Sequence, residues 1–180
     1  ARQQSAMGML TPLVHVTLPP IGAYSVESHF APLVFMLEGL IKVNEHHIKQ
    51  SMRRAAAGIG PMIPPLFATG IRYAEDPPGK ENWRDIIAAL DHIARGGKGI
   101  DCDNIICWRV AELRCAGFSC EPVIKWQHLT RELAIQIGYP ANMIPADGLW
   151  LIHCCVRFHD GRIEDTSKLL GMGGGYTNRV

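Results

Sequence analysis

The sequence predicts an α+β fold on three observations: helically spaced apolar residues running up to Ala57, a second helical pattern opened by Cys102, and a strand–turn–strand pattern from Leu149 to Asp165. At 180 residues the chain holds one domain with its own core plus an appended arm. Apolar residues make up 47% and charged residues 19%, a globular balance rather than that of a disordered chain.

Taken in order, Leu13 to Leu18 reads as a short strand or extended arm ended by Pro19-Pro20, suited to lie on a neighbouring chain. From Ala31 to Ala57, Val34, Phe35, Leu37, Leu40, Ile41, Val43 and Ile48 recur at helical spacing, with Glu45, Lys49 and Arg53 on the polar side. Gly58 to Pro65 breaks that helix and divides the chain into an N-terminal arm and helix (1–65), a main domain (66–172) and a tail (173–180). Phe67 to Tyr73 is expected as a strand or short bridge, Asp76-Pro77-Pro78-Gly79 as a turn, and Trp83 to Arg95 as a helix stopped by Gly96-Gly97.

Beyond the flexible Gly96 to Gly99, a helix opens at Cys102 and stops at Gly117. Phe118 to Trp126 reads as a strand made edge-like by Glu121-Pro122, Leu129 to Gly138 as a helix, and Tyr139 to Asp147 as a loop. Leu149 to Phe158 is a strong strand, His159 to Arg162 a hairpin turn, and Ile163-Glu164-Asp165 the start of the return strand.

A net charge of +1 provides no field for nucleic acid, and the clusters Lys49/Arg53/Arg54 and Arg95/Lys98 are small. With no apolar run near twenty residues and no basic-then-apolar leader at Ala1 to Leu13, no membrane insertion is expected. The expected location is the cytoplasm, or a particle assembled there. The six cysteines sit in apolar runs and read as reduced thiols, with Cys154 and Cys155 on opposite faces of a strand. A zinc set drawn from Cys102, Cys107, Cys115, Cys120, His153 and Cys154 lacks a Cys-x-x-Cys knuckle, so no metal is expected. His46 and His47 diverge by about 100° on a helix and should face solvent. Gly173 to Gly175 lacks the strand-to-helix setting of a phosphate loop, and no cofactor is expected.

The chemistry is expected at Cys102, His153 and Asp165. A helix N-terminus favours the thiolate of Cys102. A histidine nearby would exchange the proton, and a carboxylate on its far ring nitrogen would fix the tautomer. A hairpin turning at Asp160-Gly161 should set His153 and Asp165 roughly opposite each other on paired strands. The competing role for Asp165 is a cap beside Thr166 and Ser167, whereas Asp101, Asp103 and Asn104 are expected to N-cap the Cys102 helix. The Cys102 backbone N–H would be one oxyanion donor, the second being left open among Tyr73, Asn82 and Trp83.

Gly-x-Asp-Cys-Asp-Asn at 99–104, the helix close Arg114-Cys115-Ala116-Gly117-Phe118, the His153 strand and Gly161-Arg162-Ile163-Glu164-Asp165-Thr166-Ser167 resemble the transglutaminase-like superfamily. Ile71-Arg72-Tyr73, Asp76 to Gly79 and Trp83 resemble the lead-in of its bacterial and phage members. The resemblance spans about Ile71 to Leu170. It implies a papain-like core in which the cysteine helix packs on an antiparallel sheet carrying the histidine and aspartate. It also implies Cys102 as nucleophile, His153 as base and Asp165 as its orienter. The implied reaction is cofactor-free amide hydrolysis or acyl transfer through a thioester, on a peptide or other amide substrate. The family also includes structural modules, which leaves open a component of a phage particle docked on its neighbours. Where the family often has a small residue and then an aromatic after the histidine, this chain has Cys154 and Cys155.

Overall fold

The computed structural model describes residues 26–76 and 82–173. The expected arm at 13–20, Pro77 to Gly79 of the expected turn, and the tail from Gly174 on lie outside the described residues. The elements are helix α1 (Val26–Ala56), a 3-10 turn (Leu66–Ala68), α2 (Ile86–Ala94), α3 (Cys102–Cys115), strand β1 (Cys120–Leu129), α4 (Arg131–Gln136), a second 3-10 turn (Ala141–Met143), β2 (Leu149–Phe158), β3 (Ile163–Glu164) and α5 (Thr166–Leu169). The three strands form one antiparallel sheet in the order β1-β2-β3, so the architecture is α+β. Among the described residues no helix is long and apolar enough to cross a membrane.

The core is built around α3, which is buried on most sides because it lies between α1 and the sheet. Leu37 and Ile41 of α1, Ile106, Val110 and Leu113 of α3, and Cys154, Val156 and Phe158 of β2 share one cluster. A second, containing Leu66, Ile71, Ile86, Ile100, Ile105 and Trp108, packs α2 and the preceding chain on the other flank of α3. Arg114 adds a forked ion pair to Glu38 at 2.9 and 3.0 Å, tying α3 to α1.

The expected apolar face of α1 needs correction. Val34, Phe35 and Val43 are 42%, 80% and 43% exposed, while Asn44 and Glu45 are buried beside Leu37 and Ile41. The buried stripe is rotated from the one the apolar residues outline because two polar side chains have internal partners. Asn44 Oδ1 accepts from the Ile86 amide at 2.9 Å, starting α2. Glu45 meets Lys42, Lys49 and Arg114 at 3.7, 3.4 and 3.7 Å. His47 also departs from expectation: it turns inward, 3.4 Å from Asp85 Oδ2.

Other boundaries shift for local reasons. The second helix begins at Ile86 rather than Trp83, because Asp85 caps it by accepting from the Ala88 amide at 2.8 Å. In the region Phe67 to Tyr73 a 3-10 turn leads to a single parallel bridge from Tyr73 to Ile100, so of the expected strand or short bridge it is the bridge that forms. The first strand starts at Cys120 because α3 closes with Gly117 at φ 90° and the Phe118 amide bonded back to Leu113, and it runs on to Leu129.

Candidate active site

Cys102 is placed by the chain on either side of α3's start. The Ile100 amide donates to Arg72 O at 3.2 Å and Ala74's amide donates to Ile100 O at 3.0 Å, so segment 99–101 is fastened to 72–74. The approach is close enough that a Cβ on Gly99 would collide with the Arg72 carbonyl oxygen. Asp101 occupies the N-cap position, yet its carboxylate makes no bond to the helix's own amides. It accepts from Asn104 Nδ2, which also donates to Asn82 O at 2.9 Å, while Asn104 Oδ1 accepts from the Arg84 amide. For Asp101 the expected capping role is therefore replaced by a buried network that ties 82–84 to the first turn of α3, while Asp103 Oδ1 accepts from the Asn104 amide within that turn.

His153 lies in β2, and its partner strand is short. The register pairs Val156 with Glu164 and Arg157 with Ile163, and β3 stops there. Continued by count, that register sets Asp165 across from Cys155, two residues beyond His153. The pair is diagonal, not opposite as expected, and such neighbours share a face. Asp165 then does two things at once. Its Oδ1 accepts from His153 Nε2 at 3.0 Å and from the Lys168 amide, also at 3.0 Å, capping α5. Glu164, just before it, is fixed by a forked bond from Arg109 of α3 at 2.7 and 3.2 Å. Helix α3 thus holds the end of the strand that leads into Asp165.

With Nε2 committed to Asp165, Nδ1 is the ring nitrogen left to exchange a proton with Cys102. The His153 side chain is 17% exposed and that of Asp165 24%. Burial opposes charge on the ring, but hydrogen bonds to Cys102 and Cys155 and the negative charge of neighbours outweigh it, raising His153 to about 10. The Cys102 thiol moves the other way, well below its ordinary value. The thiol of Cys154 donates to it, His153 hydrogen-bonds to it and supplies positive charge, and the Cys154 backbone amide donates as well, all against burial. Together the directions describe a thiolate–imidazolium pair. Cys107, Cys115 and Cys120 are pushed up, chiefly by burial, and Cys154 by its bond to Cys102 and then by burial. Asp101 is raised too, by burial first and then by the charges of Asp76 and Cys102.

Cys154 is the neighbour of Cys102 that sequence reasoning missed. Strand alternation separates it from Cys155 but does not say which of the two meets α3; its place in the cluster packed against Cys102 does. His153, Cys155 and Asp165 also offer ligand atoms within 4.8 Å of one another, types a divalent ion accepts. The direct bond from Nε2 to Oδ1 already satisfies two of those atoms, so hydrogen bonding accounts for the arrangement. Of the upstream oxyanion candidates, Asn82's amide is taken by Asp76 and its carbonyl by Asn104. Trp83 packs on the same cluster as Cys102. No protein-family model, curated protein or solved structure matches the chain.

Proposed function

We propose that this protein is a cysteine-nucleophile amide hydrolase or acyl transferase with a papain-like, transglutaminase-like core, acting through a thioester on Cys102. One arrangement carries the reading: a thiol at a helix start held well below its ordinary pKa, an imidazole held above its own, and a carboxylate 3.0 Å from that ring's far nitrogen, supplied by separate parts of the chain. In this scheme the Cys102 thiolate attacks the amide carbon. The imidazolium of His153 gives its Nδ1 proton to the leaving amine, and Asp165 holds Nε2–H so that Nδ1 faces the reaction. The neutral ring then takes a proton from water, for hydrolysis, or from an incoming amine, for transfer. Substrates of the right chemistry are a peptide bond, a cell-wall crosslink or a glutamine side chain.

The test is iodoacetamide labelling across pH with the modified cysteines mapped by mass spectrometry. Cys102 should label selectively below pH 7, and the selectivity should vanish in His153→Ala. Labelling of Cys102 no faster than Cys115 or Cys120 would sink the reading.

A second reading, a docking component of a larger assembly such as a phage particle, is supported by a cleft of about 440 Å³ at the opposite end of α3. It is lined by Met52, Met62, Ile63, Leu113 and Phe118, of which Met52, Met62 and Phe118 are exposed. Sedimentation of the isolated chain separates the readings: a monomer that labels as above favours the enzyme, and concentration-dependent association without labelling favours docking.

A further inference from the structure

One face of the sheet packs on α3 through Cys120, Cys154, Val156 and Phe158, and His153 stands on the other. The register sets Lys125 of β1 directly opposite His153, and Gln127 opposite Leu151. Residues opposite each other in an antiparallel pair share a face, with Cβ atoms roughly 4.5–5.5 Å apart, and so do residues two apart on one strand. Lys125, Gln127 and His153 therefore lie together on the face turned away from α3. That face is bounded at both ends. Leu129, Leu149 and Leu151 pack with Leu133 and Ala134 of α4 at one end, and Arg157 donates to Glu121 at 2.7 Å at the other. Between them Lys125 and Gln127 are half-buried, and among the described residues neither side chain has a hydrogen-bond or ion-pair partner. The nearby carboxylates are all committed: Asp165 to the His153 ring and the Lys168 amide, Glu164 to Arg109, Glu121 to Arg157. An ammonium held partly out of water beside an imidazole, with no carboxylate of its own, lacks a complement. Repelling the edge of another sheet explains a lysine on an outer strand. It does not explain the burial, or the unpartnered amide alongside.

We propose that Lys125 and Gln127 form a carboxylate-binding subsite beside His153, so that the amide substrate carries an acidic group close to the bond that Cys102 attacks. The inference rests on the hydrolase reading and narrows its substrate to an amide flanked by an Asp or Glu side chain or by a free α-carboxylate. The Lys125 ammonium donates to one carboxylate oxygen and supplies the opposite charge, while the Gln127 side-chain N–H donates to the other oxygen. The anchor on β1 and the base on β2 then hold different parts of one substrate, which fixes the amide over the histidine.

The experiment measures alkylation of Cys102 in the full, reduced chain below pH 7 with two probes of similar length, N-(3-carboxypropyl)iodoacetamide and N-butyliodoacetamide. Each rate is divided by that of the same probe with 2-mercaptoethanol, and the modified cysteine is mapped by mass spectrometry. The carboxylate probe should react roughly tenfold faster at low salt, an advantage that shrinks as salt is raised. Lys125→Met should bring the ratio of the two rates close to one, Lys125→Arg should keep most of it, and Gln127→Leu should lower it in part. Equal rates in the unaltered chain overturn the proposal whether or not the variants fold, as does a carboxylate preference that survives Lys125→Met. Self-association of Lys125→Met on sedimentation, with the preference unchanged, assigns the lysine to guarding the edge strand and overturns it too. If Cys102 labels selectively but without a carboxylate preference, the subsite falls and the hydrolase reading stands; if neither probe labels Cys102 selectively, the shared premise falls.

Discussion

Replacing Cys102 with alanine takes away the contact that most strongly favours charge on His153 while leaving the ring buried. Burial pulls its pKa down, and the bond to Cys102, followed by Cys155 and Asp165, lifts it from 6.5 to about 10. At 1.36 kcal/mol per pH unit, that is roughly 5 kcal/mol of preference for the imidazolium. In Cys102→Ala the midpoint should fall by more than about one pH unit, read by NMR titration of the ring protons. Stability follows the same protons. His153's contribution is full below 6.5 and is lost as pH rises through about 10; that of Cys102 is full above 9.0 and is lost as pH falls through its depressed value. Between 6.5 and 9.0 the unfolded pair (thiol and neutral imidazole) and the folded pair (thiolate and imidazolium) each hold one proton, so the two slopes cancel. Urea unfolding of the native chain should therefore show a plateau there from this pair. Stability should drop on the acid side by about 1.4 kcal/mol per pH unit until Cys102 protonates, and drop on the alkaline side up to about pH 10. Cys102→Ala should lose the acid-side drop. A native His153 that titrates near 6.5, or a midpoint unmoved by Cys102→Ala, refutes the ion pair.

Asp165→Ala removes both a helix cap and the orienting carboxylate. It should cost about 1 kcal/mol in urea unfolding and slow Cys102 alkylation below pH 7 by roughly tenfold or more, whereas Asp165→Asn restores the cap and only part of the reactivity. Asn104→Ala strands the Asn82 carbonyl, the Arg84 amide and the Asp101 carboxylate together, for a loss of roughly 2–4 kcal/mol by the same unfolding assay. Gly99→Ala drives a methyl into the Arg72 carbonyl, so it should destabilise by about 1–3 kcal/mol and blunt the selective labelling of Cys102; unchanged labelling would mean that the 72–74 fastening does not position the nucleophile.

Much of this geometry was legible because it rests on local pattern. The helix opened by Cys102 and stopped by Gly117, the strand Leu149–Phe158 and the turn before Ile163 follow from period and from glycine placement. The buried face of α1 was not, because Asn44 and Glu45 look like solvent residues until the Ile86 amide and Arg114 arrive from elsewhere in the chain. Asp165 was legible in kind but not in place. A hairpin register fixes which residues face each other only while the strand continues, and nothing in Ile163-Glu164-Asp165 announces that pairing ends after two residues. Cys154 was hidden for a related reason: alternation gives two faces and leaves open which one meets the helix.

The early end of β3 is also what gives the site its shape. Had the return strand continued past Glu164, its backbone would pair with β2 at Cys155 and before, and the N-terminus of α3 could not bring Cys102 against the Cys154 amide. Ending the strand costs ladder bonds, and the chain recovers part of that loss through Asp165, which caps α5 with the same oxygen that holds His153. Arg109 keeps the strand end from fraying by gripping Glu164 from α3, the helix that carries Cys102. Helix start, strand end and helix cap are thus one mechanical unit. A change at Arg109 or Glu164, neither of which touches Cys102, should therefore move the His153–Asp165 pair relative to the thiol.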